Sequence, residues 1–297
     1  RCRRGFWPTS LAGGARPMTA APTKSDQRRL ILHLGVQKTG STAIQRHLNR
    51  NAAALARRLI VRTPEEGSPM RPLGRAAIAY SLGPTEDREI ALRIAFEDVL
   101  ETLPANDLPV LLSHENLAGA MPGNGGETRL YPQLPRIAGL LSRCAAGFAV
   151  DFVIYTRSMT AWKASVWAQA VRTDGYQHGF EDFLNRTDAM PGWGDLIRRM
   201  ADVLGPDRLC RFKLEDEPDP GRPGRLLLHH AGLDDAIIEA LAPLDGPAMQ
   251  RLNAGSTEFL RRLNGLTLNP HARGKVVDLV ARAQNLFIAE VPGKGTS

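Results

Sequence analysis

Apolar positions along the chain fall into two patterns, short continuous runs and longer stretches with helical spacing. The continuous runs predict buried strands, and they cover residues 28–36, 109–113, 149–156 and 209–214. The helical spacing predicts helices over residues 86–103, 135–144, 160–172, 180–184 and 195–204, with further helices towards the C terminus. A helix is also expected after residue 42, where Ile44, Leu48 and Leu55 share one side and Ser41 or Thr42 supplies the N-cap. Residues 62–84, rich in Pro, Gly and Arg, predict a loop.

Strands that alternate with helices indicate an α/β fold, with a central parallel sheet flanked by helices on both faces. We expect one domain over residues 30–290 and a disordered basic tail over residues 1–29. Met18 is a candidate native start, in which case residues 1–17 would not belong to the protein. In open parallel sheets, ligands bind beyond the carboxyl ends of the strands, so the residues that follow the strands are the candidate site.

The charge of the chain gives little support to a nucleic-acid partner. Of the net charge of +7, +6 falls in residues 1–29 and only +1 remains for the rest. No apolar stretch approaches the roughly 20 residues that span a membrane. The three cysteines, Cys2, Cys144 and Cys210, show neither metal-ligand spacing nor an even count, so we expect no disulfide framework, no metal site and a reducing, cytoplasmic location.

The first candidate site follows the first strand and reads G-V-Q-K-T-G-S-T, from Gly35 to Thr42. A strand that enters a helix through a glycine-containing turn directs backbone N–H groups and the positive helix end at one point, which suits a phosphate. A Walker A loop has a lysine directly after its second glycine. Here that position is Ser41, and Lys38 lies inside the loop instead.

The second candidate site follows the third strand. Arg157 leaves the strand, and Ser165 lies eight residues later in the following helix, with Gln169 one turn further. A guanidinium and a hydroxyl that converge on one anion suit a phosphate monoester, because both donate hydrogen bonds to its oxygens.

Together these two motifs resemble those of the sulfotransferase family, and the weaker likeness from Leu30 to Asn264 is closest to its bacterial, carbohydrate-type branch. The resemblance implies a P-loop NTPase-like sulfotransferase fold and 3′-phosphoadenosine 5′-phosphosulfate as the sulfuryl donor. It implies that Arg157 and Ser165 hold the 3′-phosphate, and that one loop binds the 5′-phosphosulfate. That loop comprises Gln37, Lys38, Thr39, Gly40, Ser41 and Thr42. The family commonly has a proline where this chain has Met159.

The same resemblance implies sulfuryl transfer to a hydroxyl or amine, on a carbohydrate or a small metabolite. Lys38 would stabilise the leaving phosphate oxygen. The second strand ends in Ser113-His114-Glu115, and either His114 or Glu115 could take the acceptor's proton. Alternation along a strand places these two on opposite faces, and we expect His114 in preference to Glu115.

Two other functions stay open at this point. A P-loop kinase or nucleotide hydrolase would need a lysine after Gly40 and a Walker B aspartate after a neighbouring strand, whereas this sequence has Ser41 after Gly40 and ends its second strand in Ser-His-Glu. A non-catalytic nucleotide-binding protein of the same fold would keep the Arg157 site and show no transfer.

Overall fold

A computed structural model describes residues 27–246 and 252–288. Five parallel strands form one sheet in the order β2-β3-β1-β4-β5, flanked by helices. This confirms the α/β fold with a central parallel sheet. The strands are β1 (Arg28–His33), β2 (Ile60–Arg62), β3 (Val110–Ser113), β4 (Phe148–Thr156) and β5 (Leu209–Lys213).

Helices follow the strands and cover both faces of the sheet. In chain order they are α1 (Ser41–Arg50), α2 (Ala52–Leu55), α3 (Met70–Leu82), α4 (Glu86–Glu101), α5 (Leu134–Cys144), α6 (Met159–Thr173), α7 (Phe180–Arg186), α8 (Trp193–Leu204), α9 (Arg225–His230), α10 (Asp235–Ala240), α11 (Ala254–Leu263) and α12 (Pro270–Arg282). Short 3-10 turns follow β3 at Glu115–Ala118 and β5 at Leu214–Asp216. Within these described ranges, no helix is long and apolar enough to cross a membrane.

Alternate residues of the central strand pack into separate cores. Leu30 and Leu32 belong to a cluster that includes Leu112 and residues of α3 and α5. Ile31 belongs to a second cluster with Leu111, Val153 and residues of α1 and α9. The strand is buried on both faces, as expected for a parallel sheet covered by helices.

The prediction of a loop over residues 62–84 is wrong for most of its length, because α3 occupies Met70–Leu82. Met70, Leu73, Ala77 and Tyr80 are buried at helical spacing along it. Pro72 is its third residue, where a helix does not yet need the N–H that proline lacks. The prolines and glycines of this segment therefore led to the prediction of a loop where the chain forms a buried helix.

Three smaller corrections concern element boundaries. The three-residue strand β2 was not predicted. The N-cap of α1 is Gly40, and Ser41 is already its first residue. Arg28 and Arg29, assigned to the basic tail as well as to the first apolar run, lie in β1, where Arg29 forms an ion pair with Asp151 at 2.8 Å. Residues 1–26 of the predicted tail lie outside the described residues, as do residues 289–290 of the predicted domain.

Candidate functional site

The loop between β1 and α1 doubles back on itself at the carboxyl edge of the sheet. Gly35, Lys38 and Gly40 all have positive φ values, of 91°, 66° and 90°. The hydroxyls of Thr39 and Ser41 both donate to the carbonyl oxygen of Val36, at 2.7 and 3.0 Å. These two bonds close the loop at the start of α1.

Two glycines of this loop are required by close contacts as well as by conformation. A Cβ on Gly35 would lie 2.8 Å from the Cα of Glu115, and one on Gly40 would lie 2.8 Å from the side chain of Leu214. Both distances are shorter than real Cβ contacts, and positive φ already favours glycine. The loop is thus wedged between the turns that follow β3 and β5.

Side chains from outside the loop fix its backbone. The indole N–H of the fully buried Trp162 donates to the carbonyl of Gln37 at 2.9 Å, and the Gln37 amide donates to the carbonyl of Gly119 at 2.9 Å. The Lys38 ammonium donates to Oε1 of Gln169 on α6 at 3.2 Å. The loop that carries the lysine is therefore held in place by α6 and by the turn after β3.

The two residues of the second motif lie together. The Arg157 guanidinium donates to the Ser165 hydroxyl at 3.2 Å. The indole of Trp193 donates to the Arg157 carbonyl at 2.6 Å, and Glu215 accepts from the N–H of Ser158 at 2.8 Å. Hydrogen bonds from neighbouring elements therefore fix the turn that follows β4.

One cavity of about 980 Å³ joins both motifs. Its lining includes nine residues of the predicted site or its surroundings, namely Gln37, Lys38, Gly40, Ser41, Thr42, Glu115, Arg157, Ser165 and Gln169. Residues of α11, with the preceding Leu252, close one side. Thr39 is fully buried and supports the loop from behind.

His114 and Glu115, the two candidate bases, differ in their surroundings. Glu115 lines the cavity, and its Oε2 accepts a hydrogen bond from the amide of Gln45 at 2.7 Å. His114 is 4% exposed and does not line the cavity among the residues described. Its ring lies against α3, where a Cβ on Gly74 would come within 1.9 Å of Nε2. Of the two candidates, Glu115 is the one that lines the cavity, and the choice of base stays a prediction.

Burial and hydrogen bonding compete at the Glu115 carboxyl. Burial by itself would raise its pKa, but hydrogen bonding and the charge of His114, together with the hydrogen bond from Gln45, outweigh it and lower the pKa to about 2. The His114 Nδ1 lies 3.6 Å from the same Oε2. Glu115 is thus ionised at neutral pH.

His33 lies beneath this site and is a poor candidate for proton transfer. Complete burial lowers its pKa to about 4, against the opposing effect of the Glu115 charge. Its Nδ1 lies 2.8 Å from the Ser113 hydroxyl, so this histidine is a neutral part of the core at neutral pH.

Two further residues of the site, Gln45 and Trp162, were not predicted. Gln45 follows the predicted phosphate loop by one helical turn and is buried among apolar residues of α1. A buried amide next to a phosphate loop is a usable sequence signal, since buried polar groups need partners. Trp162 offered no such signal, because an aromatic residue in a helix is usually core.

Metal-ligating residues are not clustered in the part of the chain that the structure describes. No group of three or more His, Cys, Asp or Glu side chains there could hold an ion.

Comparisons with known proteins add limited information. No protein-family model matches the sequence, and no curated protein matches it. Among solved structures, the chain is similar to the crystal structure of a sulfotransferase from Alicyclobacillus acidocaldarius, with 13% sequence identity and a TM-score of 0.46, over 88% of this chain and 96% of that chain. Both values are too low for this likeness to assign an activity, which has to be argued from the site.

Proposed function

We propose that this protein is a sulfotransferase that moves a sulfuryl group from 3′-phosphoadenosine 5′-phosphosulfate to a hydroxyl or amine of a carbohydrate or small metabolite. One observation carries the proposal. A loop lysine, an arginine–serine pair and an ionised carboxylate line a single cavity. They come from the ends of three neighbouring strands, β1, β4 and β3.

The residues present fit a nucleotide with two separate phosphate sites. For the 5′ side, the N terminus of α1 has no side-chain cap and no acidic residue in its first turn, within the described chain, and Lys38 lies beside it. These features favour an anion. For the 3′ side, Arg157 and Ser165 offer two donors from one wall. A volume of about 980 Å³ is at the upper end of the range for ligand pockets.

When bound, the donor supplies a sulfuryl group on a phosphate leaving group. The Lys38 ammonium would stabilise the negative charge that develops on that phosphate, and its bond to Gln169 restricts the directions it can take. Lys38 has a positive φ, and it lines the cavity. This lysine belongs to the loop and not to the helix, in contrast to a Walker A lysine.

Glu115 would take the proton of the acceptor. Its carboxylate accepts the proton as the acceptor oxygen or nitrogen bonds to sulfur and the bond from sulfur to the phosphate oxygen breaks. Gln45 occupies Oε2, which leaves Oε1 for the acceptor. His114, which packs against α3, would lower the pKa of Glu115 and would not touch the acceptor. This role differs from that of the base, which the sequence suggested for His114.

A kinase or nucleotide hydrolase is less well supported by this geometry. Ser41 stands where a Walker A loop has lysine, and its hydroxyl is turned to the carbonyl of Val36. The Arg157–Ser165 pair, in turn, would provide a second anion site for a nucleotide with a 3′-phosphate.

Titration calorimetry can separate these activities. We expect 3′-phosphoadenosine 5′-phosphate to bind at least about 100-fold more tightly than ATP with magnesium, because only the former engages Arg157. Arg157→Ala should remove most of this preference, whereas Arg143→Ala, an exposed arginine on α5, should leave it intact. Equal affinity for both nucleotides, or no transfer of labelled sulfate from the donor to any of a mixed set of hydroxyl and amine acceptors, would refute the proposal.

A further inference from the structure

Arg172 is a cationic side chain of the cavity that joins both motifs, and the proposed function does not use it. Lys38 donates to Gln169, and Arg157 donates to Ser165. The guanidinium of Arg172, by contrast, has neither a hydrogen bond nor an ion pair with any residue that the structure describes. The side chain is half-buried and lines the cavity, so its charge faces a ligand.

The end of α6 does not itself require this arginine. A basic residue in the last turn of a helix is favourable, because the carbonyl groups there carry partial negative charge. At this end, other side chains already donate to those carbonyls. The Arg273 guanidinium donates to the carbonyls of Val171 and Arg172, at 3.0 and 3.1 Å. The Asn264 amide donates to the carbonyl of Val171 at 2.8 Å. These bonds also fix the backbone from which the Arg172 side chain extends.

Apart from the proposed base, the acidic residues that line this cavity do not balance the charge of Arg172. The carboxylate of Glu258 accepts three hydrogen bonds from Arg261 and Arg262, at 2.7 to 2.8 Å. Asp174 lies two residues further along the chain, and within the described ranges it forms no ion pair with Arg172. A half-buried charge is favourable only when it has a partner, so we expect a negative group on a ligand.

The position of Arg172 along α6 places it on the acceptor side of the proposed reaction. Ser165, Gln169 and Arg172 all belong to the cavity wall that α6 forms. A helix rises about 1.5 Å per residue, so Arg172 lies roughly 10 Å beyond Ser165 and roughly 4 Å beyond Gln169. The bound nucleotide would extend from Lys38, beside Gln169, back to the 3′-phosphate at Ser165. In-line transfer places the acceptor opposite the leaving phosphate, which is the direction of Arg172.

We propose that Arg172 binds a carboxylate of the acceptor while a hydroxyl or amine of the same molecule reaches Glu115. A guanidinium binds a carboxylate through two parallel hydrogen bonds. One arginine balances the single charge of a carboxylate, whereas a phosphate monoester carries about 1.5 to 2 negative charges. The inference rests on the proposed sulfotransferase function and adds a substrate class to it, namely acceptors that carry a carboxylate besides the group that receives the sulfuryl.

Acceptor pairs that differ only in charge test this in transfer assays with labelled donor. Hydroxyphenylacetate and hydroxyhexanoate should be used with a kcat/KM at least about tenfold above that of their primary amides, which corresponds to about 1.4 kcal/mol. Arg172→Gln should abolish this advantage of the acids, and Arg172→Lys should retain part of it, because lysine keeps a positive charge. Arg143→Gln, which removes an exposed arginine of α5, is the matched control and should retain all of it.

A binding measurement tests the same contact without transfer. In saturation-transfer NMR with 3′-phosphoadenosine 5′-phosphate present, hydroxyphenylacetate should give a stronger signal than its amide. This difference should disappear in Arg172→Gln and remain in Arg143→Gln.

Two results would overturn the inference. The first is that the acids neither bind better nor react faster than their amides. The second is that Arg172→Gln slows transfer to acids and amides by the same factor, because Arg172 would then act on the donor or on the fold. Failure of 3′-phosphoadenosine 5′-phosphate to bind would instead count against the proposed function. The NMR comparison of Arg172→Gln with Arg143→Gln, repeated without nucleotide, would still decide whether Arg172 binds a carboxylate.

Discussion

Replacement of Gln45 by leucine tests whether this buried amide controls the ionisation of Glu115. In the wild-type protein, Gln45 Nε2 donates to Glu115 Oε2 at 2.7 Å. Leucine has a similar size and no donor, so the variant removes the hydrogen bond and keeps the volume. A hydrogen bond to a charged group contributes about 1.5–3 kcal/mol. Because one pH unit corresponds to 1.36 kcal/mol, the protonation midpoint of Glu115 should rise by roughly 1–2 pH units.

The assay is a carbon-13 NMR titration of the Glu115 carboxyl, between about pH 3 and 6. The wild-type signal should scarcely move, since hydrogen bonding from His114 and Gln45 overcomes burial and holds its pKa at about 2. The Gln45→Leu signal should show protonation within the range. Glu258 is an internal control, because Arg261 and Arg262 hold its pKa at about 2 without Gln45. A Glu115 midpoint that does not move in the variant would refute the role of Gln45.

The same change should alter the dependence of stability on pH. A carboxyl whose pKa is lowered on folding stabilises the protein above its unfolded pKa, and this contribution is lost as the pH falls through the folded pKa. For Glu115, the loss therefore occurs between its ordinary pKa of 4.5 and the folded-state pKa of about 2. Gln45→Leu raises the folded-state pKa of Glu115 towards its ordinary value, so this carboxyl contributes less to the dependence of stability on pH. The melting temperature of the variant should therefore fall less steeply over this pH range than that of the wild type.

Three substitutions test the remaining roles in the site. Arg157→Ala should weaken binding of 3′-phosphoadenosine 5′-phosphate by ~2–4 kcal/mol and spare adenosine 5′-phosphosulfate, which lacks the 3′-phosphate; an equal loss in calorimetry for both ligands would disprove the assignment. Lys38→Ala should lower single-turnover transfer about 100-fold or more with a smaller loss of donor affinity, and normal turnover would contradict the mechanism. Glu115→Gln should lower turnover about 100-fold or more at neutral pH and leave donor affinity nearly unchanged, which a transfer assay beside calorimetry checks.

The candidate site positions that the sequence predicts are those that depend on local chain order. Glycines at positions 35 and 40, a strand before them and a helix after them predict a phosphate loop without any tertiary information. The eight-residue spacing of Arg157 and Ser165 likewise spans one turn and the start of one helix. In both cases, the functional groups are placed by the backbone of a single strand–loop–helix unit.

Features that depend on distant elements could not be predicted in this way. Gly74 looked like a loop residue, and only the assembled fold shows that it makes room for the His114 ring. The contact between Gln45 and Glu115 joins residues that are 70 positions apart. Neither composition nor periodicity records such a pairing.

The choice between the two candidate bases follows from which helix covers which face of β3. Residues alternate along a strand, and β3 ends at Ser113, so the extended His114 continues the face of Leu112, whereas Glu115 begins the 3-10 turn and contacts Gln45 of α1. Leu112 packs in the cluster that contains Met70 and Leu73 of α3, whereas Leu111 packs with Ile44 of α1. The α3 side is closed, and the α1 side leads to the N terminus of a helix and its phosphate loop. Glu115 contacts Gln45 of α1, and because a base must reach the acceptor, we propose the residue on the α1 side for this role, whereas the resemblance had favoured His114.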